Sequence, residues 1–215
     1  MTTRRHSASQ RQRRGKYGFN GRRRQKIYGA LDLGTNNCRL LIARPNGPGF
    51  QVAASFSRVV RLGEGLASSG RLSDAAMSRA IDALSLCAER LRVNKVNVTR
   101  NIATEACRQA DNGDHFLARI KQETGLEFET ISCQEEARLA ITGCQSLLNE
   151  NAPYALVFDI GGGSTELIWS KSGQSGSYEI IDVLSLPFGV VNLAERCGTD
   201  VIDQNCYEMM VCDIA

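Results

Sequence analysis

From Ile27 onward the chain alternates short apolar runs with turn-forming clusters, and the periods differ along its length. Apolar residues at every second position predict strands at 27–33, 38–44 and 51–60. Turns at Gly34-Thr35-Asn36 and at Pro45 to Gly49 would fold these three into an antiparallel meander. After a loop from Arg61 to Leu66 the period changes to that of a helix over 73–92. Ser73 stands at its N-cap, and Met77, Ala80, Ile81, Leu84, Ala88 and Leu91 fall on one face. A strand through Val96, Val98 and Ile102 follows. Then come a short helix from Thr104, a longer one from Asp114 to a stop at Gly125, a strand at 127–131 and a helix over 133–149.

At Tyr154 the pattern restarts. A strand runs to Asp159, a glycine turn follows, a second strand passes through Trp169 and a third covers 178–186. Helices begin near Val190 and near Asp203. Strands interleaved with helices predict an α/β fold whose mixed sheet carries helices on its faces. The natural division is a first domain at 27–151 and a second at 152–215, after a segment 1–26 of different character. The second unit is half the length of the first, and the last helix lacks a stop signal, so the expectation is a second domain that is cut short.

Charge sharpens this division. The 215 residues carry a net +3, but residues 1–26 hold eight Arg and two Lys with no acid. The remainder has sixteen basic and twenty-three acidic residues. The first segment lacks apolar periodicity and reads as a disordered basic tail, either a plain solvated extension or an arm for polyanions such as polyphosphate or RNA. An acidic body does not collect polyanions by its general field, so any phosphate must be gripped locally. No apolar run approaches the ~18 residues of a membrane span, and the expected location is cytoplasmic. The eight cysteines show neither zinc spacing nor a C-x-x-C pair and read as reduced thiols. His6 and His115 suggest no histidine-based catalysis.

The chemistry concentrates in a repeat. Leu31–Ile42 and Phe158–Ile168 align at an offset of 127 residues, aspartate on aspartate and glycine on glycine. Each reads as a hairpin whose turn can present bare backbone N–H groups to an anion, with a carboxylate alongside. In the second copy Gly161, Gly162 and Gly163 are followed by Ser164, Thr165 and Glu166. Three successive glycines cost conformational entropy, which makes sense where a ligand approaches too closely for any Cβ. Asp159 and Glu166 supply oxygen ligands suited to Mg²⁺. In the first copy Asp32, Gly34, Thr35 and Asn36 form the partner turn. Arg39 reads either as a phosphate contact or as an outward-facing strand residue.

Two further places carry candidates. Ser132 with Glu135 fits a capping box, in which Glu135 reaches back to the N-cap N–H. Glu136 lies about 100° further around the helix and reads two ways: as a charge favoured by the helix dipole, or as a carboxylate placed to activate water. Arg108, on the helix opened by Thr104-Glu105, reads as a bidentate phosphate contact or as a surface arginine.

Taken together, Ala30–Leu40, Ala103–Arg108, Glu135–Leu139, Asp159–Glu166 and Ser185–Gly189 resemble the exopolyphosphatase/guanosine pentaphosphate phosphatase (Ppx/GppA) family, of the actin-like ATPase superfamily. The resemblance implies an actin-like, ribonuclease H-like duplicated domain with a mixed five-stranded sheet. It implies Mg²⁺-dependent (or Mn²⁺-dependent) hydrolysis of terminal phosphoanhydride bonds, with inorganic polyphosphate or guanosine pentaphosphate as substrate. Glu136 then becomes the general base. Gly34, Thr35, Asn36, Arg108, Gly161, Gly162, Gly163, Ser164 and Thr165 become phosphate contacts, to which the reading of the first hairpin adds Arg39. Asp159 and Glu166 become metal ligands, and the aligned Asp32 joins them through the repeat. A non-catalytic phosphate-binding fragment stays open as an alternative, as does a homodimer of the full-length protein.

Overall fold

The computed structural model describes residues 26–149, 151–173, 177–198 and 202–214. The basic tail expected at 1–26 lies outside them except for its last residue.

Two sheets carry the structure. The first has strand order β3-β2-β1-β4-β5, built from β1 (Tyr28–Leu33), β2 (Asn37–Asn46), β3 (Gly49–Val59), β4 (Val98–Ala103) and β5 (Glu129–Thr130). Neighbours β1, β2 and β3 run antiparallel, whereas β4 runs parallel to β1 and β5 parallel to β4. This is the mixed five-stranded sheet expected from the sequence. Helix α1 (Leu66–Ser69) is a single turn, and α2 (Asp74–Val93) is the long helix expected from the periodicity. Ser73 caps it by accepting from the Ala76 N–H. Its buried stripe of Met77, Ala80, Ile81, Leu84, Cys87 and Leu91 meets Leu31, Leu33, Leu40 and Ile42 from the sheet. Helices α3 (Glu105–Gln109) and α4 (Gly113–Thr124) complete the layer, and α4 buries Phe116 and Ile120. Gly125 ends α4 in the left-handed conformation that glycine adopts without penalty.

Strand β5 is shorter than the expected 127–131. Asn101 donates its side-chain amide to the Glu127 carbonyl, so the ladder forms only beyond that point.

Helix α5 (Cys133–Cys144) is followed by a short 3-10 turn at Gln145–Leu147, where a single helix to 149 was expected. Gly143 weakens helix propensity where the change occurs. By packing, α5 belongs with the second sheet although it precedes the restart of the pattern. It lies against β6 (Tyr154–Ile160), β7 (Thr165–Ser172) and β8 (Tyr178–Leu186), an antiparallel sheet of order β6-β7-β8. Ala137 and Ile141 of α5 and Ile168 of β7 are buried. The opposite face exposes Tyr154, Leu156, Phe158 and Trp169, with Tyr154 stacked on Trp169.

Helices α6 (Val190–Cys197) and α7 (Gln204–Ile214) follow, joined by a disulfide between Cys197 and Cys206 whose Cα atoms stand 5.7 Å apart. The expectation that all eight thiols are free is thereby corrected: the two helices bring together a pair that is distant from any recognisable cysteine spacing. Among the described residues no helix is long and apolar enough to cross a membrane.

Candidate active site

The two repeated hairpins meet turn to turn. In register, Asp32 stands opposite Arg39 across β1 and β2, and Asp159 stands opposite Glu166 across β6 and β7. Gly162 reaches the first turn so closely that a Cβ on it would lie 3.0 Å from the Cβ of Thr35 and 3.1 Å from that of Asn36. Between the turns lies a cleft of about 170 Å³, lined by both turns and by Asp32, Arg39, Glu136 and Asp159.

The backbone of each turn is held from behind. On the second turn, the Val190 and Val191 N–H groups at the start of α6 donate to the Gly161 and Gly162 carbonyls at 3.0 and 2.8 Å. The Asn192 side-chain amide donates to the Gly163 carbonyl at 2.9 Å. In a trans peptide the N–H points opposite to the carbonyl of the same unit. With these carbonyls drawn towards α6, the N–H groups of Gly162, Gly163 and Ser164 point away from that helix. The first turn is held similarly: Gly63 N–H donates to the Thr35 carbonyl at 2.9 Å, and Val60 and Arg61 N–H to that of Asn36 at 2.8 and 3.0 Å. Convergent N–H groups of this kind form an anion-binding concavity.

The acidic groups sit between them. Burial pushes the Asp32 carboxyl up from its ordinary range, Arg39 draws it down and Asp159 pushes it up again. Two carboxylates facing one cleft offer an all-oxygen pair of the kind Mg²⁺ takes alongside retained waters and substrate phosphates. Glu166 does not join them at the lining. It is buried within β7, 2% exposed, and accepts a hydrogen bond from the Ser185 hydroxyl at 2.9 Å. Among the described residues no cluster of three or more His, Cys, Asp or Glu is arranged to hold a metal ion.

Glu136 enters from the first turn of α5. Burial raises its carboxyl to about 7, against the pull of Arg108, with Glu166 and then Asp159 adding to the rise. Its neighbour Glu135 departs from the expected capping box. Ser132 does accept from the Glu135 N–H, but the Glu135 carboxylate turns outward to Arg138 and Arg100, which hold it down at about 2.

Of the residues singled out in the sequence, Asp32, Gly34, Thr35, Asn36, Arg39, Glu136, Asp159, Gly161, Gly162, Gly163 and Ser164 line the cleft. Three do not. Thr165 donates its hydroxyl to the Phe188 carbonyl at 2.6 Å. Glu166 is buried beside Asp159 and bonded by Ser185, as above. Arg108 is bound to Glu105, Glu136 and the Ile131 carbonyl. Conversely, Asn37, Thr104, Glu105, Ile160 and Val190 line the cleft without having been singled out. Asn37 adjoins the motif and Glu105 heads the Thr104 helix, so only their closeness to candidates could have flagged them.

Comparison with known proteins matches most of the chain. The model of the Ppx/GppA phosphatase family matches residues 41–210. The crystal structure of an Aquifex aeolicus member of that family is 32% identical, with a TM-score of 0.66 over 79% of this chain and 54% of its own. An exopolyphosphatase-like protein is 32% identical, with a TM-score of 0.78 over 88% of this chain and 59% of its own. An exopolyphosphatase from Cytophaga hutchinsonii is 28% identical, with a TM-score of 0.78 over 86% of this chain and 58% of its own. The chain spans a little over half the length of these relatives.

Proposed function

The chain belongs to the Ppx/GppA phosphatase family, and from that premise we propose that it hydrolyses the terminal phosphoanhydride bond of inorganic polyphosphate, with Glu136 as general base. The observation that carries this reading is the position of Glu136. A carboxylate held at about 7 opens onto a cleft whose other walls are two anion-gripping turns. A general base works best when its pKa lies near the operating pH.

In this reading the N–H groups of Gly162, Gly163 and Ser164 bind oxygens of the terminal phosphoryl. The first turn, with Arg39, grips the next phosphate from the opposite side. Asp32 and Asp159 would hold Mg²⁺ or Mn²⁺, which when bound neutralises charge on the phosphate oxygens. Glu136 takes a proton from a water aimed in line at the terminal phosphorus. The oxygen of that water bonds to phosphorus as the bridging P–O bond breaks, orthophosphate departs and the shortened chain leaves with its new terminal oxygen. Little covalent chemistry falls to the protein: positioning and charge neutralisation lower the barrier.

Guanosine pentaphosphate is the alternative substrate. The cleft of about 170 Å³ is polar and, among the described residues, has no aromatic side chain in its lining, which favours a bare phosphate chain over a guanine base. The test is orthophosphate release from long-chain polyphosphate and, separately, from guanosine pentaphosphate, with Mg²⁺, by the wild-type chain and by Glu136→Gln. The expected result is release from polyphosphate, reduced about 10²–10⁴-fold in the variant. Release from the nucleotide alone would transfer the activity to that substrate. Phosphate binding without release from either would leave a phosphate-binding unit and overturn the enzymatic reading.

A further inference from the structure

Glu105 and Arg108 form an arrangement that spans the two sheets. Both residues lie on α3, at the end of β4 in the first sheet, while Glu136 lies on α5 against the second. The Arg108 guanidinium bridges them. Its Nε donates to Glu105 Oε2 at 3.0 Å, and one Nη2 bond goes to the same oxygen. Its Nη1 donates to the Ile131 carbonyl at 2.7 Å and to Glu136 Oε2 at 3.2 Å, and Nη2 reaches Glu136 Oε2 at 3.3 Å. A guanidinium has five N–H donors, and these five contacts account for all of them. None is left for a phosphate. Both bonds to Glu136 land on Oε2, and no hydrogen bond to its Oε1 is found among the described residues.

We propose that Glu105 is a positioning residue for the base: through Arg108 it fixes Oε2 of Glu136 and so keeps Oε1 as the oxygen that receives the proton from water. This rests on the reading of Glu136 as the base. Arginine and carboxylate left to themselves favour a bidentate fork in which both oxygens accept. Glu105 prevents that by claiming Nε and one Nη2 proton, and the Ile131 carbonyl claims one Nη1 proton. Glu105 side-chain exposure is 13%, so this hold is largely shielded from solvent. Because the bridge joins α3 to α5, the base is aligned only while the two sheets are close together.

The test uses the whole chain and two variants, Glu105→Gln and Arg108→Lys, with two readouts. The first is turnover of polyphosphate. Both variants are expected to lower kcat by about ten- to a hundredfold, as misplacement of a catalytic group does, with KM within about twofold of wild type. A rise in KM with unchanged kcat would return Arg108 to the role of phosphate ligand and overturn the proposal. The second is the ¹³C side-chain carboxyl resonance of Glu136 in glutamate-labelled protein, identified by its loss in Glu136→Gln. It is expected to move in Glu105→Gln while the thermal midpoint stays close to wild type. An unmoved resonance overturns the proposal. This second readout does not depend on catalysis, so a wild-type chain without turnover would defeat the proposed function alone, and the resonance would still decide the role of Glu105.

Discussion

The two hairpins share a motif but differ in how they are supported. Around the first, alternate residues of β1 and β2 are buried to completion: Leu31, Leu33, Cys38, Leu40 and Ile42 are all 3% exposed or less. Around the second, β6 alternates only between half-buried and exposed, and Phe158 and Ile160 stand 61% and 64% exposed. The first turn rests on a finished core beneath α2 and α4. The second rests on a three-stranded sheet with α5 on one face and apolar side chains open on the other. The aligned turn glycines differ in the opposite sense, a Cβ on Gly161 falling 3.1 Å from the Ser164 carbonyl oxygen. A Cβ on Gly34 would meet nothing nearer than the Asn37 carbonyl oxygen at 3.6 Å, an ordinary contact. Each turn is backed by a close glycine: a Cβ on Gly189 would fall 2.4 Å from backbone, the Gly162 carbonyl carbon, and one on Gly63 would fall 2.3 Å from a side-chain atom, Thr35 Cγ2. Both turns are thus held by close local packing, against backbone at the second and against a side chain at the first.

The largest expected difference lies between the sheets. Ile42→Ala empties a fully buried position and is expected to lower unfolding free energy by about 2–5 kcal/mol. Phe158→Ala removes a larger side chain but from an exposed position, and a change within about 0.5 kcal/mol is expected. Urea midpoints of the two variants, measured with wild type, check this directly. A cost at Phe158 equal to that at Ile42 would mean that the open face is covered in solution, and the contrast between the sheets would fall.

A smaller effect separates the turns. Gly189→Ala must displace backbone at Gly162 and is expected to cost about 1–3 kcal/mol, as overpacking does. It should also weaken phosphate binding, because Gly162 carries one of the proposed N–H donors. Gly34→Ala has room for its methyl group and an ordinary φ. It is expected to be neutral or to stabilise by about 0.4–1 kcal/mol through the unfolded chain. Thermal midpoints and orthophosphate binding by calorimetry give both quantities. If Gly34→Ala proved the more damaging, the tightness would belong to the first turn.

The fold was legible where pattern and packing agree. The α2 stripe, the Ser73 cap, the Gly125 stop and the span of β8 all follow from local signals that the tertiary structure leaves alone. The repeat also pointed to one cleft, since two glycine turns of one kind are meaningful together. Side-chain partners were less legible. The residues leave Arg108 open between a phosphate contact and a surface arginine, and only the family resemblance makes it a phosphate contact; in the fold Glu105, Glu136 and the Ile131 carbonyl take its donors. Glu166 shares the charge of a metal ligand and, as the cross-strand partner of Asp159, shares its face of the sheet, but it is buried on the central strand and bonded by Ser185 of β8, while Asp159 on the edge strand lines the cleft. Glu135 leaves its capping box for Arg138, three residues on in the same helix, and for Arg100, remote in sequence, which comes within 2.9 Å. The pairing of Cys197 with Cys206 likewise depends on how α6 and α7 fold back. Such choices between partners are made by contacts across elements, which spacing alone does not encode.

The smallest effect compares one carboxylate from each sheet by its response to pH. Burial raises both Asp32 and Glu136, tempered by Arg39 in one case and by Arg108 in the other. A carboxyl raised in the folded state binds its proton more tightly there than in the unfolded chain, so folding stability falls as pH rises through the interval between the two values. For Glu136 that interval runs from the ordinary carboxylate range up to about 7. Glutamine cannot ionise and escapes this loss. Glu136→Gln should therefore gain stability relative to wild type as pH rises towards about 7, by something on the order of 1 kcal/mol once partial solvent screening is allowed for. Asp32→Asn should show a change of the same sign. Thermal midpoints of both variants and wild type at pH 5 and pH 8 measure it. A gap that narrows towards pH 8 at Glu136 would mean that Arg108 outweighs burial there and holds the carboxylate ionised, which would also remove the reason for expecting a base active near neutrality.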